Sequence, residues 1–251
     1  MSHGLGAVCD EFYVSSRLFL KLETKLDNET VLHFFDRIRK EFPAVRRLRR
    51  RDGKAIMLEE EPGERGGRRW VRLDPGSIRF GETSPIEMDG VRRMGSLILT
   101  QAPYHLSLND LCYDHLEVTY GFDLAYRGNH DQLVAETLLG EHAGAGFLFG
   151  GHAASVIDAQ PYFGVALTPE CDLQAYVEVK SRTTTFEVRN GAYEGESISV
   201  YLTVRKYWGA GASESLADVL HLLFDTSDEL ATERVVPHFV NPLAAAIASR
   251  S

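Results

Sequence analysis

The chain lacks most of the marks that assign a protein quickly. No apolar run approaches the roughly 20 residues of a membrane span; the longest near the end, Leu243–Ala248, is far too short. Residues 1–13 carry no basic start and no apolar core of the signal-peptide kind. The three cysteines, Cys9, Cys112 and Cys171, lie too far apart in sequence for a zinc knuckle or a CxxC redox site. So sparse a set suits a reducing cytosol, which gives the expectation of a cytoplasmic protein without membrane contact. The Walker ending Gly-Lys-Ser/Thr, the Gly-x-Ser-x-Gly elbow and the HxH and HExxH spacings are all missing. No cofactor is therefore expected, and enzymatic activity is not favoured.

What is present is ordinary for a globular domain: 251 residues, 44% hydrophobic and 25% charged. The net charge of −9 is unevenly spread. Residues 1–100 hold 19 Lys+Arg against 16 Asp+Glu, a balance of +3; the remainder hold 8 against 20, a balance of −12. Such asymmetry points to a charged partner for one half, or to attraction between the halves.

Arg17–Leu26 alternates, with Leu18, Leu20, Leu22 and Leu26 on one face, and predicts a half-buried strand. Asp27 or Asn28 caps a helix whose stripe is Val31, Phe35, Ile38 and Phe42, ended by Pro43. Asp52-Gly53 marks a hairpin; a two-residue turn there would set Arg51 against Lys54 and Arg46 against Glu59. Asp74-Pro75-Gly76-Ser77 marks a second hairpin, with a type II turn. Residues 82–112 read as a linker, with a short strand at Ser96–Thr100.

The same order then recurs. Asp114–Leu124 alternates, with Leu116, Val118, Tyr120, Phe122 and Leu124 inward. Asn129 caps a helix, with Gln132 placed for a capping box. Strands follow around Phe147–Phe149, Tyr162–Leu167, Leu173–Thr184 and Ser197–Trp208, then a helix from near Ser213 that Pro237 and Pro242 break. The expected fold is α+β: two tandem β-α-β-β-β-β units with antiparallel sheets, divided as 1–95 and 96–251, plus a C-terminal helix.

Between Arg37 and Arg72 stand 13 Lys+Arg against 6 Asp+Glu. Guanidinium forks suit phosphate, which makes Arg47, Arg49 and Arg51, on one strand face, and Lys54 the candidate polyanion-binding set. Arg46 and Arg50 fall on the other face. Glu59, Glu60 and Glu61 could neutralise the arginines internally, and Trp70 alone offers an aromatic among them. Asp114, His115 and Glu117 form a candidate polar cluster, His115 and Glu117 sharing a face. His115, His130, His142 and His152 fall within a short span, but in no ligand spacing.

Lys21-Leu22-Glu23-Thr24-Lys25, a helix, and then Leu48–Leu58 together faintly resemble the CYTH triphosphate-tunnel family over about 45 residues. The resemblance implies a metal held by a Glu-x-Glu-x-Lys strand and a triphosphate gripped by inward Lys and Arg. Lys21 replaces the first of those glutamates, and Glu59-Glu60-Glu61 stand where a lysine is wanted. The loss of a metal carboxylate argues against that catalysis.

The leading expectation is a non-catalytic binding or scaffold protein that meets a protein partner, or a second copy of itself, through the C-terminal helix. The alternative is a protein that binds or hydrolyses a polyanion (polyphosphate, nucleotide or RNA) through the Arg-rich hairpin.

Overall fold

The computed structural model describes residues 4–24, 26–51, 55–61, 67–142, 144, 155–208 and 214–250. Nine strands form one antiparallel sheet: β1 (Glu11–Leu20), β2 (Arg47–Arg51), β3 (Ala55–Glu59), β4 (Arg68–Asp74), β5 (Ser77–Thr83), β6 (Tyr113–Tyr126), β7 (Tyr162–Ala166), β8 (Leu173–Lys180) and β9 (Glu196–Tyr207). Their order is β2-β3-β4-β5-β1-β6-β9-β8-β7. The helices are α1 (Asn28–Glu41), α2 (Met88–Leu106), α3 (His130–Leu138), the short α4 (Thr185–Asn190), α5 (Leu216–Leu230) and α6 (Asn241–Ala248). A π-helical stretch, Ala231–Val240, joins α5 to α6. The fold class is α+β, as expected, and no helix among the described residues is long and apolar enough to cross a membrane.

The sheet is buried on one side. Period-two alternation sends Val14 and Leu18, Val71 and Leu73, Ile78 and Phe80, Leu116 to Phe122 at even positions, and Val200 to Val204 at even positions to the face that α2, α5 and the π-helical stretch cover. α1 packs on α2 through Val31, Phe34, Phe35 and Ile38, and its first turn is capped by the Asp27 carboxylate, which accepts from the N–H groups of Glu29 and Thr30. Arg92 of α2 ties two helices to the sheet. It donates to Asp225 (2.6 Å) and Asp228 (2.8 Å) of α5, and the Tyr120 hydroxyl of β6 donates to the same Asp228 at 2.6 Å.

Several expectations are corrected. The 82–112 linker is largely α2, and the 95/96 division falls inside it. Gly90, Gly95 and Pro103 disguise the helix, yet Val91, Met94, Ile98, Leu99, Ala102 and Leu106 recur at helical spacing and are all buried. Pro103 sits in the last turn, which closes through Ser107 in a left-handed conformation. The first strand begins six residues earlier than expected and ends at Leu20; Leu22 is 80% exposed. Its buried face starts with Phe12 and Val14, so the alternation extends backward rather than through Lys21–Leu26.

In the first hairpin Arg47 faces Glu59 and Arg51 faces Ala55, one residue off the two-residue register; residues 52–54 lie outside the described ones. Gly76 lacks the positive φ of a type II turn, though Asp74 and Ser77 do pair. Asn129 accepts from the Gln132 N–H, but the Gln132 side chain accepts from Val156 instead of closing a capping box. The strand expected at Phe147–Phe149 lies outside the described residues. Pro237 and Pro242 do not break the last helix. The wider π-helical turns accommodate Pro237, and Pro242 stands in the first turn of α6, where a missing N–H costs least.

The apolar stripe of that helical run, Leu220, Leu223, Phe224, Ala231, Val235, Val240 and Leu243, is buried within the chain itself. Gly95 marks the tightest point of the helical layer: a Cβ there would stand 2.6 Å from the Phe80 ring and 2.7 Å from Leu220, both fully buried. Gly95→Val should therefore destabilise the fold by about 1–3 kcal/mol, read as a lower urea midpoint at unchanged m-value.

Candidate functional site: the open face of the sheet

The second face of the sheet is partly open over its middle strands, although Met57, Glu59, His115 and Ser199 on the same face are buried. Its central small residues, Ser15, Thr119 and Thr203, are partly exposed although they lie in the middle strands. Cross-strand register arranges this face in rows. One row runs Arg72, Arg79, Arg17, Glu117, Arg205 and Gln174, each directly opposite the next. The adjacent row runs Trp70, Gly81, Ser15, Thr119, Thr203, Tyr176 and Gly164. The third places Tyr13, Gly121 and Tyr201 side by side.

The middle row is therefore a trough with a floor of small side chains. Arginines form one wall, Tyr13 and Tyr201 the other, and Trp70 and Tyr176 stand at its ends. With strands ~4.8 Å apart, Trp70 and Tyr176, five strands apart, are separated by roughly 24 Å.

Asp74 serves both Arg72 (2.9 Å) and Arg79 (3.6 Å), while Glu117 accepts two hydrogen bonds from Arg205 (2.7 and 3.1 Å). Arg17 makes no ion pair among the described residues; its guanidinium lies 3.8 Å above the Phe19 ring. Burial lowers its pKa, the Arg79 and Arg72 charges add to that, and Glu117 and Asp74 oppose it. The Nε atoms of Arg17 and Arg79 are buried without a hydrogen-bond acceptor. Arg17 is thus a guanidinium crowded by two others.

The expected set meets this site only at its margin. Arg47 and Arg49 do lie on the open face, on the edge strand β2. Arg49 is neutralised by Glu59 (2.8 Å), a carboxylate 1% exposed that also pairs with Arg68 at 3.5 Å. Arg51 closes the same strand opposite Ala55, its side chain outside the described residues, as is Lys54. Arg50 turns away and donates to Asn28. The cations that matter, Arg17, Arg72, Arg79 and Arg205, come from four strands, and only the register reveals them as neighbours.

Asp114, His115 and Glu117 do come together. His115 Nδ1 is 2.8 Å from the Asp114 carboxylate, and its Nε2 is 3.9 Å from Glu117. The ring is stacked on Phe19 (4.0 Å) and flanked by Tyr207 (4.9 Å). This packing makes the cluster a support for the arginine wall, since Glu117 is what holds Arg205. No group of three His, Cys, Asp or Glu side chains that could hold a metal exists among the described residues. The three cysteines are free thiols.

Nor is there a closed tunnel. The sheet ends in two edges, β2 and β7, and Lys21–Thr24 follows β1 rather than forming part of it, so the likeness to the triphosphate-tunnel family does not extend to architecture. Two depressions lie on the helical side. One of about 770 Å³ between α1 and α2 is lined by His33, Arg37, Arg39 and Lys40, where Arg39 pairs with Asp36 and Arg37 with Glu41. Another of about 500 Å³ beneath β7 is lined mostly by apolar side chains. No protein-family model matches the chain, and no curated protein matches it significantly.

Burial lowers the pKa of His115 from its ordinary 6.5; Arg205 acts in the same direction, and the Asp114 hydrogen bond opposes both. The unfolded chain then takes up the proton first as pH falls. The resulting stability is complete above about pH 6.5 and is lost as pH drops below it. Urea midpoints should fall more steeply with acidification for the native chain than for His115→Gln. Equal slopes would contradict the buried, neutral histidine.

Proposed function

We propose that this protein binds a polyanion along the open face of its sheet, without catalysing a reaction on it. The single observation that carries the reading is the row Arg72, Arg79 and Arg17, three guanidiniums directly opposite one another on adjacent strands. Like charges opposite each other destabilise a sheet. Asp74 is shared by Arg72 and Arg79, and Arg17 makes no ion pair among the described residues. An elongated anion crossing the strands would meet Arg72, Arg79, Arg17 and then Arg205, and would relieve that repulsion. A binding reading is favoured over a hydrolytic one because the described residues offer no metal cluster, and His115 is held between the Phe19 and Tyr207 rings rather than aimed into the trough.

Inorganic polyphosphate is the direct probe, since it presents charge and nothing else. Arg17→Gln combined with Arg79→Gln should weaken its binding on the order of tenfold or more, about 1.4 kcal/mol or above. The double variant should also flatten the dependence of affinity on salt. Arg37→Gln, on the helical layer, should leave affinity unchanged. Loss of binding in Arg37→Gln with retention in the double variant would place the anion on the wrong side of the molecule and overturn the reading.

A further inference from the structure

Three aromatic rings on the open face share one arrangement. Trp70 lies over Gly81, Tyr13 over Gly121 and Tyr176 over Gly164, and each glycine is the ring's direct cross-strand neighbour. A Cβ added to Gly81 would stand 3.0 Å from the Trp70 ring. At Gly121 it would stand 2.3 Å from the Tyr13 ring, and at Gly164 2.7 Å from that of Tyr176. At Gly121 and Gly164 the ring occupies the space a side chain would otherwise take; at Gly81 the Val14 carbonyl, 2.3 Å from such a Cβ, does so together with the Trp70 ring, and each ring lies down against the sheet. A ring in that posture turns one π-face to the backbone and the other outward. All three remain partly exposed, but Arg205 stands over the Tyr176 ring at 5.2 Å and Tyr162 is stacked on it at 5.7 Å, so Trp70 and Tyr13 are the rings left for a ligand.

The same rings border the trough that the arginines line. Trp70 is two residues from Arg72 on one strand, so about 7 Å separates an outward π-face from the arginine wall. That is the scale on which a nucleotide separates its base from its phosphate. Tyr13 is four residues from Arg17 on the opposite side of the small-residue floor, and Tyr176 stands opposite Thr203 on the strand beside Arg205. A ligand with charge alone would use the arginines and leave the rings idle. A double helix would keep its bases stacked on each other and out of reach.

We infer, resting on the polyanion reading above, that the ligand is a single-stranded nucleic acid. Its phosphates would follow Arg72, Arg79, Arg17 and Arg205, and its bases would lie on Trp70 and Tyr13. Base stacking on such platforms is tolerant of sequence. The roughly 24 Å between the end rings suits about four nucleotides. Nothing in the trough reads base edges in a fixed pattern, so composition should matter little.

The test uses the whole chain carrying Trp208→Phe, which leaves Trp70 as the only tryptophan. An oligouridylate of about six nucleotides should bind and quench the Trp70 emission, whereas inorganic polyphosphate should bind without comparable quenching. Trp70→Leu and Tyr13→Leu should each weaken oligouridylate binding about tenfold while leaving polyphosphate affinity unchanged. A duplex of the same length should compete poorly. If polyphosphate binds through Arg17 and Arg79 but the oligonucleotide gives no quenching and ignores both ring variants, the nucleic-acid inference fails and the polyanion reading stands. If neither probe binds at low salt, both fail.

Discussion

The antiparallel pairing of β1 with β6 is the contact on which the rest of the molecule depends. It joins strands a hundred residues apart in sequence and fuses what each half would otherwise present as a separate sheet. Without it Arg17 would not stand opposite Glu117, nor Phe19 opposite His115, nor would Tyr13 lie over Gly121. The basic half and the acidic half of the chain meet along this seam. Their charges are not cancelled there, because Glu117 is committed to Arg205 and leaves Arg17 unpaired among the described residues.

The helices lie on one side of the sheet. They bring large apolar side chains to that face, and each fully buried Leu, Ile or Phe contributes about 1.5–3 kcal/mol. The fold is held from that face, with Arg92, Asp225, Asp228 and Tyr120 locking the helical layer in register. The other face carries crowded arginines and aromatic rings over its middle strands. The glycines at 81, 121 and 164 belong to the same arrangement: they would weaken strands in isolation, and the rings lying over them restore the lost contact.

Sequence periodicity made the scaffold legible and left the site hidden. The inward face of β6 and the Asp27-capped α1 could be read because their signals are local, with spacing of two or of three to four residues. α2 was obscured by two glycines and a proline, residues that ordinarily mark loops, although its apolar spacing was helical throughout. The two prolines near the end misled for a related reason: a widened helical turn can absorb what a regular one cannot. The trough could not be read at all. Arg17, Arg72, Arg79 and Arg205 are scattered along the chain, and the densest basic run, Arg46–Arg51, drew attention to an edge strand where Glu59 neutralises much of the charge. Among the arginines of the first half Trp70 looked like a lone aromatic, while Tyr13, Tyr176 and Tyr201 reach the same surface only through strand pairing.

Mapping where a strand lies on the protein tests this account most directly. Ultraviolet crosslinking of a bound oligouridylate, followed by peptide mass spectrometry, reports the contact residues without any substitution. The account predicts adducts at Trp70, Tyr13, Tyr176 or Tyr201, all on the uncovered face. Adducts concentrated at Tyr104, beside His33 and Arg37 in the depression between α1 and α2, would contradict it.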